Sequence, residues 1–253
     1  MRDSRIATFV IVHGGWGGGW EWSEVAELLR ERGHRVITPT LAGMGDRAGE
    51  GGPEIGLETH VQDIVDVLEH EDLHDVVLCA HSYGGMPVTG AADRVPHRIG
   101  LVVYIDALVP RDGQSAFDLV TAQFRKDAHA SAIDVGGGLR VPIPAELLPP
   151  KGIVPEAKWI DYVERLCDQP LRTFADPVRL RRSTDLPPRA FVRCTSGQLD
   201  RDLGDDPIAP VAARARAEGW TFRELAAPHD PQLTHPKATA DLLDELVAAP
   251  DVA

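Results

Sequence analysis

The chain has 253 residues, a formal net charge of -13 and three cysteines that lie far apart. This length suits one α/β domain with an insertion. The negative charge argues against nucleic acid and anionic membrane surfaces as partners. We expect no membrane span, because no apolar run approaches about 18 residues, and no signal peptide, because the first residues lead directly into a strand. Cysteines without CxxC spacing predict reduced core residues of a cytoplasmic protein.

Strands and helices alternate over the first 110 residues. The apolar run 6–12 predicts a strand buried on both faces. A helix is predicted from residue 23 to a stop at Gly33, because glycine commonly ends helices. The elements predicted next are a strand at 35–39, a helix at 61–68, a strand and helix around 76–86, and a strand at 99–105. This rhythm predicts a doubly wound, mostly parallel sheet.

The pattern changes after residue 110. Residues 111–188 are richer in Pro and Gly, with helical patches predicted at 157–166 and 177–182. We expect this stretch to be a small cap inserted over the carboxyl edge of the sheet, where open α/β sheets bind ligands. Regular order returns with a strand at 189–195, a helix at 207–218, a strand at 220–225 and a helix at 236–247. The prediction is one domain over 1–253, with a core at 1–110 and 189–253 and a cap at about 111–188.

A serine lies in a short turn between a predicted strand and a predicted helix. The sequence Ala80-His81-Ser82-Tyr83-Gly84 fits the nucleophile-elbow pattern G-x-S-x-G, with alanine in place of the first glycine. Small residues on both sides allow a sharp, strained turn, so the Ser82 hydroxyl would stand clear of the sheet at a helix N-terminus. So short a pattern also occurs by chance, and further residues are needed to support it.

A nucleophilic serine requires a base, an orienting acid and an oxyanion hole. His229 follows the last predicted strand, which suits a base in the chain order serine, acid, histidine. His235 is the alternative, but it precedes Pro236 at a predicted helix start. For the oxyanion hole we predict the backbone N–H groups of Tyr83, which follows the serine, and of Gly15 in the glycine-rich turn.

The glycine-rich turn could also belong to a dinucleotide site. The pattern G-x-G-x-x-G fails at its last position, which is Trp20, and the next strand ends in Thr38-Pro39 without an acid for a ribose. The acidic run 200–206 lacks the fifth-position oxygen ligand and the twelfth-position glutamate of a calcium loop. We therefore expect neither a cofactor nor a metal.

Together these stretches resemble a known family. Residues 9–20, 81–86 and 228–236 are similar to the α/β-hydrolase superfamily, in particular the branch that holds plant methylesterases, hydroxynitrile lyases and small bacterial esterases. The resemblance implies the α/β-hydrolase fold and covers the core better than the cap. The lyases of this branch carry a threonine after the first histidine and a lysine after the catalytic one, where this chain has Gly14 and Asp230. Hydrolysis is therefore favoured.

The acid is left open among three aspartates. In the plant methylesterases it follows a Cys-Thr pair after the penultimate strand, where this chain has no carboxylate. Asp106 ends a predicted strand from which some α/β hydrolases supply the acid. It is our first choice, because a carboxylate at the end of an apolar run needs a partner and His229 would be that partner. Asp206, which resembles the family's Asp-x-x-x-Pro after a loop insertion, comes second, and Asp200 third.

The predicted activity is hydrolysis of a small carboxylic ester or lactone through an acyl-enzyme on Ser82. Trp16 is expected to line the substrate pocket. Two other classes remain as alternatives: a lyase or cyclase that uses the same residues for acid–base chemistry, and a ligand-binding protein without catalysis. A homodimer is compatible with the sequence.

Overall fold

The computed structural model describes residues 6–181, 186–196 and 206–248. Within these ranges six strands form one parallel sheet in the order β2-β1-β3-β4-β7-β8, and two short strands, β5 and β6, form an antiparallel pair. The strands are β1 (Thr8–Val12), β2 (Arg35–Ile37), β3 (Val76–His81), β4 (Ile99–Ile105), β5 (Arg140–Val141), β6 (Gln169–Pro170), β7 (Arg189–Cys194) and β8 (Thr221–Leu225). The strand order changes direction between β1 and β3, because β2 lies on the outer side of β1 and β4 lies on the outer side of β3. A crevice therefore forms at the carboxyl ends of β1 and β3, where open α/β sheets bind ligands.

Helices cover both faces of the sheet. The described helices are α1 (Ser23–Glu31), α2 (Leu57–His70), α3 (Gly85–Arg94), α4 (Ala122–Asp134), α5 (Glu156–Glu164), α6 (Leu171–Ala175), α7 (Ala209–Ala217), α8 (Pro231–Thr234) and α9 (Pro236–Ala248). In the parts of the chain that are described, none of them is long and apolar enough to cross a membrane.

The core has two layers, one on each side of the sheet. Successive side chains of a strand point to opposite faces. Phe9 and Ile11 therefore pack into the layer beneath α1 and α9, whereas Val10 and Val12 pack into the layer beneath α2, α3 and α7. All four side chains are fully buried. This explains why β1 reads as a continuous apolar run and shows no alternation.

The end of α1 illustrates how local chemistry sets an element boundary. Gly33 has φ +93°, a left-handed conformation that glycine adopts without steric cost. The N–H of His34 donates to the carbonyl of Leu29, and the N–H of Gly33 donates to the carbonyl of Arg30. This pair of bonds is a Schellman motif. The helix therefore stops where the sequence predicts.

Two departures from prediction in the segment between β4 and β7 have a physical reason. The helix expected at 177–182 is wrong over its described residues, 177–181, which are not helical; residue 182 lies outside the described ranges. The physical reason is that this stretch bonds to other parts of the chain: the Leu180 N–H donates to Asp112 Oδ1 at 2.8 Å, and the Arg181 N–H donates to Asp93 Oδ2 at 2.6 Å. Pro177 sets only the end of α6, because the preceding Asp176 is extended, with φ -72° and ψ 135°. Helix α4 was not predicted, since it buries only the small side chains of Ala128 and Ala132 and shows little amphipathic pattern.

Candidate active site

Ser82 lies directly after β3, in a tight turn that leads into α3. Its φ is +50°, a conformation that a non-glycine residue adopts rarely and at a cost. The two glycines after Tyr83 lie close to the backbone of other loops. A Cβ on Gly84 would lie 2.5 Å from the His13 carbonyl oxygen, and a Cβ on Gly85 would lie 2.0 Å from the Leu108 carbonyl oxygen. Small residues are therefore required here for a steric reason.

His229 and Asp106 lie beside this serine. His229, in the loop after β8, places Nε2 3.0 Å from Ser82 Oγ. Its Nδ1 lies 2.7 Å from Oδ2 of Asp106, which directly follows β4. If Nδ1–H donates to the carboxylate, Nε2 is left as an acceptor for the serine hydroxyl. The three residues thus form one hydrogen-bonded chain.

The Asp106 carboxylate is held on both oxygens. Its side chain is almost fully buried, and Oδ1 accepts from Arg193 Nη1 at 2.8 Å and from the Cys194 N–H at 3.2 Å. Burial raises the pKa of Asp106, but the hydrogen bond and charge of His229, together with Arg193, outweigh it and hold the pKa below its usual value. For His229, burial lowers the pKa and the bond to Asp106 more than compensates, so the pKa is raised above 6.5.

The other acid and base candidates lie elsewhere. Asp206 forms an ion pair with Arg193, and its Oδ1 accepts from the Ile208 N–H at 2.8 Å, just before α7. Asp200 and the rest of the acidic run 200–205 lie outside the described residues. His235 is exposed, with Nδ1 2.9 Å from the hydroxyl of Thr234. Of the candidate acids that the structure describes, Asp106 is the one that His229 contacts.

Two buried histidines support the site from below, and sequence reasoning did not assign them a role. His81 Nε2 lies 2.7 Å from the backbone oxygen of His229 and donates to it, which holds the loop. His13 Nδ1 lies 2.8 Å from the Gly14 oxygen, while its Nε2 accepts from the Leu41 N–H at 3.1 Å. Burial lowers the pKa of His13 to about 4 and that of His81 to about 3, so both are neutral near pH 7.

Tyr83 and Gly15, the predicted oxyanion-hole residues, both line the cavity that contains Ser82. The Tyr83 phenol lies 2.9 Å from Nδ1 of His60, whose Nε2 lies 2.9 Å from the Ala42 carbonyl oxygen. Because that carbonyl can only accept, His60 carries its proton on Nε2 and accepts from Tyr83 on Nδ1. This arrangement fixes the tyrosine side chain next to the serine turn.

Trp16 is tied to the segment between β4 and β7. Its backbone N–H donates to Gln169 Oε1 at 3.0 Å, and its indole N–H donates to the Val141 carbonyl at 3.0 Å. Its φ is +62°, and its ring meets Phe174 edge-on at a centroid distance of 5.3 Å. Trp16 is among the residues that line the cavity.

The cavity above Ser82 has a volume of about 170 Å³. Most of its wall is apolar, and much of that apolar surface comes from the segment between β4 and β7, including Phe117, Phe124, Leu148, Ile153 and Phe174. The ionisable side chains on the wall include those of Glu21, Tyr162, His229 and Asp230. Within the described ranges, no cluster of three His, Cys, Asp or Glu side chains could hold a metal ion.

Comparison with known proteins identifies the family. The model of the alpha/beta hydrolase family matches residues 9–242, which is most of the chain. The chain belongs to this family. The predicted superfamily is therefore confirmed, and the parallel six-stranded sheet flanked by helices confirms the predicted alpha/beta-hydrolase fold.

Several relatives of this alpha/beta hydrolase are esterases. A carbendazim-hydrolysing esterase from Nocardioides is 45% identical over 184 residues, which is 69% of this chain and 74% of the relative. Methyl jasmonate esterase 1 from Vitis vinifera is 33% identical over 118 residues, 43% of this chain and 42% of the relative. The match thus spans less than half the length of this plant protein.

A solved structure supports the assignment of this chain to the alpha/beta hydrolase family. An extracellular alpha/beta-hydrolase from a Paenibacillus species superposes with a TM-score of 0.79 at 25% identity, covering 94% of this chain and 98% of that one. That protein is described as sharing structural and functional homology with tobacco salicylic acid binding protein 2.

Proposed function

We propose that this alpha/beta hydrolase cleaves carboxylic esters or lactones through an acyl-enzyme on Ser82. The observation that carries this proposal is the hydrogen-bonded chain from Ser82 through His229 to Asp106, which opens onto an apolar cavity. The esterase relatives support the same reaction class. The alignment of a serine, a neutral imidazole and a buried carboxylate is what acyl transfer at neutral pH requires.

The first half of the proposed reaction forms the acyl-enzyme. Ser82 Oγ attacks the carbonyl carbon as its proton passes to His229 Nε2. The Asp106 carboxylate stabilises the resulting imidazolium and keeps its own charge. When the tetrahedral intermediate collapses, the C–O bond to the alcohol breaks, and His229 returns its proton to the departing alkoxide.

The second half regenerates the enzyme. Water attacks the acyl carbon as His229 takes one of its protons, and that proton passes to Ser82 when the Oγ–acyl bond breaks. In both halves we propose the N–H groups of Gly15 and Tyr83 as donors to the oxyanion. Their support is that both residues line the cavity beside Ser82 and that acyl transfer needs two such donors.

We propose that residues 111–188 act as a cap that selects the substrate, with Trp16 as a substrate-binding residue. This segment contributes the aromatic and aliphatic side chains over Ser82, so an acyl or alcohol group with an apolar body would fit. The bonds from Trp16 to Gln169 and Val141 hold the indole against this segment. Trp16 and Ser82 line the same cavity, which supports a contact between the indole and the reacting ester.

We also propose a cytoplasmic location and a small-molecule substrate, without a nucleic-acid partner. Cys79, Cys167 and Cys194 are free thiols, which suits a reducing compartment. The net charge of -13 disfavours nucleic acid. A homodimer is tested directly by light scattering on the purified protein.

The test uses p-nitrophenyl acetate and butyrate with the wild type, Ser82→Ala and Ser131→Ala. Ser131 is a matched control, because its hydroxyl donates to a carbonyl of its own helix, that of Ala128. We expect wild type and Ser131→Ala to turn over both esters and to gain the acyl mass during turnover. Ser82→Ala should lose both properties. Turnover without an acyl adduct would favour a lyase or cyclase; absence of turnover would favour a binding protein.

A further inference from the structure

Glu21 is a buried carboxyl group that the proposed reaction does not use. It lies in the short turn after the glycine-rich loop and is 8% exposed. Its Oε1 accepts from the hydroxyl of Tyr162, in α5, at 2.8 Å. Among the described residues, its Oε2 has no hydrogen-bond partner. Since a buried polar atom without a partner is costly, this oxygen needs an explanation.

The position of this carboxyl depends on its neighbours. A Cβ on Gly17 would lie 2.3 Å from Glu21 Cδ, so a side chain at position 17 would displace the carboxyl group from this place. Glu21, Tyr162 and Asp230 all line the cavity that contains Ser82. Asp230 is the chain neighbour of His229, so this polar wall begins next to the reacting centre. The wall joins the core to the segment between β4 and β7.

The electrostatics of this wall favour a positive or N–H-bearing group. Burial raises the pKa of Glu21 to about 8, Asp230 adds to the rise, and Tyr162 and Arg165 oppose it. The Arg165 guanidinium lies over the Trp20 ring, 4.1 Å from its centroid. Burial also raises the pKa of Asp230, while His229 lowers it. Two acidic groups in one low-dielectric pocket repel each other when ionised, and a donor between them relieves that repulsion.

We propose that Glu21, Tyr162 and Asp230 form a subsite for a nitrogen-bearing substituent of the substrate, such as an amine or an amino-heterocycle. An N–H of that substituent donates to the Glu21 carboxyl once the side chain turns to expose Oε2, which is buried and has no partner among the described residues. The apolar body of the substrate fills the rest of the cavity. The inference rests on the proposed ester hydrolysis for the identity of the substrate, but its binding claim is separate.

Two nearly isosteric esters test the subsite. In 4-(aminomethyl)benzyl acetate and 4-ethylbenzyl acetate the ester is the same, and an amino group replaces a methyl group far from it. We expect the wild type to prefer the amino ester at least tenfold in kcat/KM, because a site built for a polar group discriminates strongly against its absence. Glu21→Gln should lower kcat/KM for the amino ester at least tenfold, mainly through KM, and change the ethyl ester less than threefold.

Glu24→Gln is the matched control. Glu24 is exposed and pairs with Lys158 at 2.6 Å on the outside of the same region. Its replacement should leave both esters unchanged. An equal loss on both esters in Glu21→Gln, with a lower Tm, would show that Glu21 only supports packing and would overturn the inference. So would a wild type without preference for the amino ester.

A binding measurement separates this inference from the proposed reaction. Isothermal titration of Ser82→Ala with each ester needs no turnover and keeps Glu21 in place. We expect at least tenfold tighter binding of the amino ester, increasing from pH 6 to pH 8 as Glu21 loses its proton. Equal affinities would overturn the subsite. Selective binding by a wild type that hydrolyses neither ester would overturn the proposed reaction and leave the subsite supported.

Discussion

Arg193 donates a hydrogen bond at 2.8 Å to Oδ1 of Asp106, the carboxylate oxygen that does not face His229. The pair crosses between neighbouring strands, because Arg193 lies in β7 and Asp106 directly follows β4. Both side chains are largely buried. Arg193 therefore acts as a positioning residue: it fixes the carboxylate so that Oδ2 meets the imidazole. It also pairs with Asp206, which places a second aspartate behind the first.

Replacing the two aspartates should separate their roles. Asp106→Asn removes the charge that stabilises the imidazolium, so we expect kcat on p-nitrophenyl butyrate to fall by about 10³ to 10⁴. Asp206→Asn removes the negative charge that pairs with Arg193, and we expect kcat to fall less than about tenfold, since Asp106 keeps its contacts to His229 and Cys194. The reverse ranking of the two variants would assign the acid to Asp206.

The pH profile of kcat/KM should report His229. Its pKa is raised above 6.5, chiefly because the bond to Asp106 outweighs the effect of burial. The imidazole must be neutral to act as a base, so activity should rise with pH with a midpoint above 6.5. In Asp106→Asn that midpoint should move to lower pH, as the charge that holds the proton is gone. An unchanged midpoint would mean that another group controls the profile.

Acid should destabilise the protein through its buried histidines. Burial lowers the pKa of His13 and His60 to about 4 and of His81 to about 3. Because these values lie below that of an unfolded chain, the unfolded state binds protons first. The contribution of each neutral histidine to the unfolding free energy is therefore complete above pH 6.5. It is lost as pH falls from 6.5 through about 4, at roughly 1.4 kcal/mol per pH unit for each group.

Urea unfolding between pH 7 and pH 4.5 checks this expectation. At pH 7, His60→Gln should have a lower unfolding free energy than the wild type, since it disturbs the contacts to Tyr83 and Ala42. On acidification its unfolding free energy should fall less than that of the wild type. His235→Gln, at an exposed position, should follow the wild-type curve. Parallel curves for His60→Gln and the wild type would contradict the burial of a neutral imidazole at this position.

Glu21 should have the opposite effect on stability. Its folded pKa is raised to about 8, so the folded state holds its proton more tightly than the unfolded chain does. Its contribution is complete below pH 4.5 and is lost as pH rises through 8, by up to about 1.4 kcal/mol per unit. Glu21→Gln should therefore gain stability relative to the wild type from pH 5 to pH 8. A constant difference in unfolding free energy would show that the carboxyl is ionised throughout.

The tight turn after Ser82 makes a steric prediction. A methyl group at Gly85 would overlap the Leu108 carbonyl oxygen, and the Leu108 N–H donates to the Ser82 carbonyl at 3.0 Å. Gly85→Ala should cost about 3 kcal/mol of unfolding free energy and lower kcat as well. Gly49→Ala, where a Cβ meets nothing within 4 Å, should stay within about 0.5 kcal/mol. Equal stability of both variants would show that the turn accommodates an added methyl group at little cost in free energy.

The sequence predicts the core of this fold well because its strands are apolar on both faces and its helices are amphipathic. It also predicts the tight turn at Ser82, because the pattern G-x-S-x-G restricts the size of the residues at fixed positions around the serine. The structure of the segment between β4 and β7 was harder to predict from the sequence. Helix α4 buries alanines, which leave little periodic signal, and Leu180 and Arg181, which fall in a predicted helix, bond instead to distant aspartates that the local sequence does not reveal.

The contacts around the site depend on pairing between strands that are distant in sequence. Three aspartates remained open as acids, and what brings Asp106 and His229 together is that the carboxyl ends of β4 and β8 lie at the same edge of the sheet, on either side of β7. Arg193 did carry a signal, since a charged residue in the buried run of β7 needs a partner. Glu21 offered a weaker one, as a single acid between Trp20 and Trp22 gives no indication of which side it faces.

The anchoring of Trp16 limits how this enzyme could be re-engineered. The first loop of the chain takes its shape from groups about 125 and 153 residues further along, through the Val141 carbonyl and the Gln169 amide. The Cys167 N–H adds a third bond, to the Trp16 carbonyl, at 2.8 Å. Replacing the segment between β4 and β7 with a foreign one would remove all three at once and release the loop next to Gly15. A functional chimaera would have to carry these anchors with it.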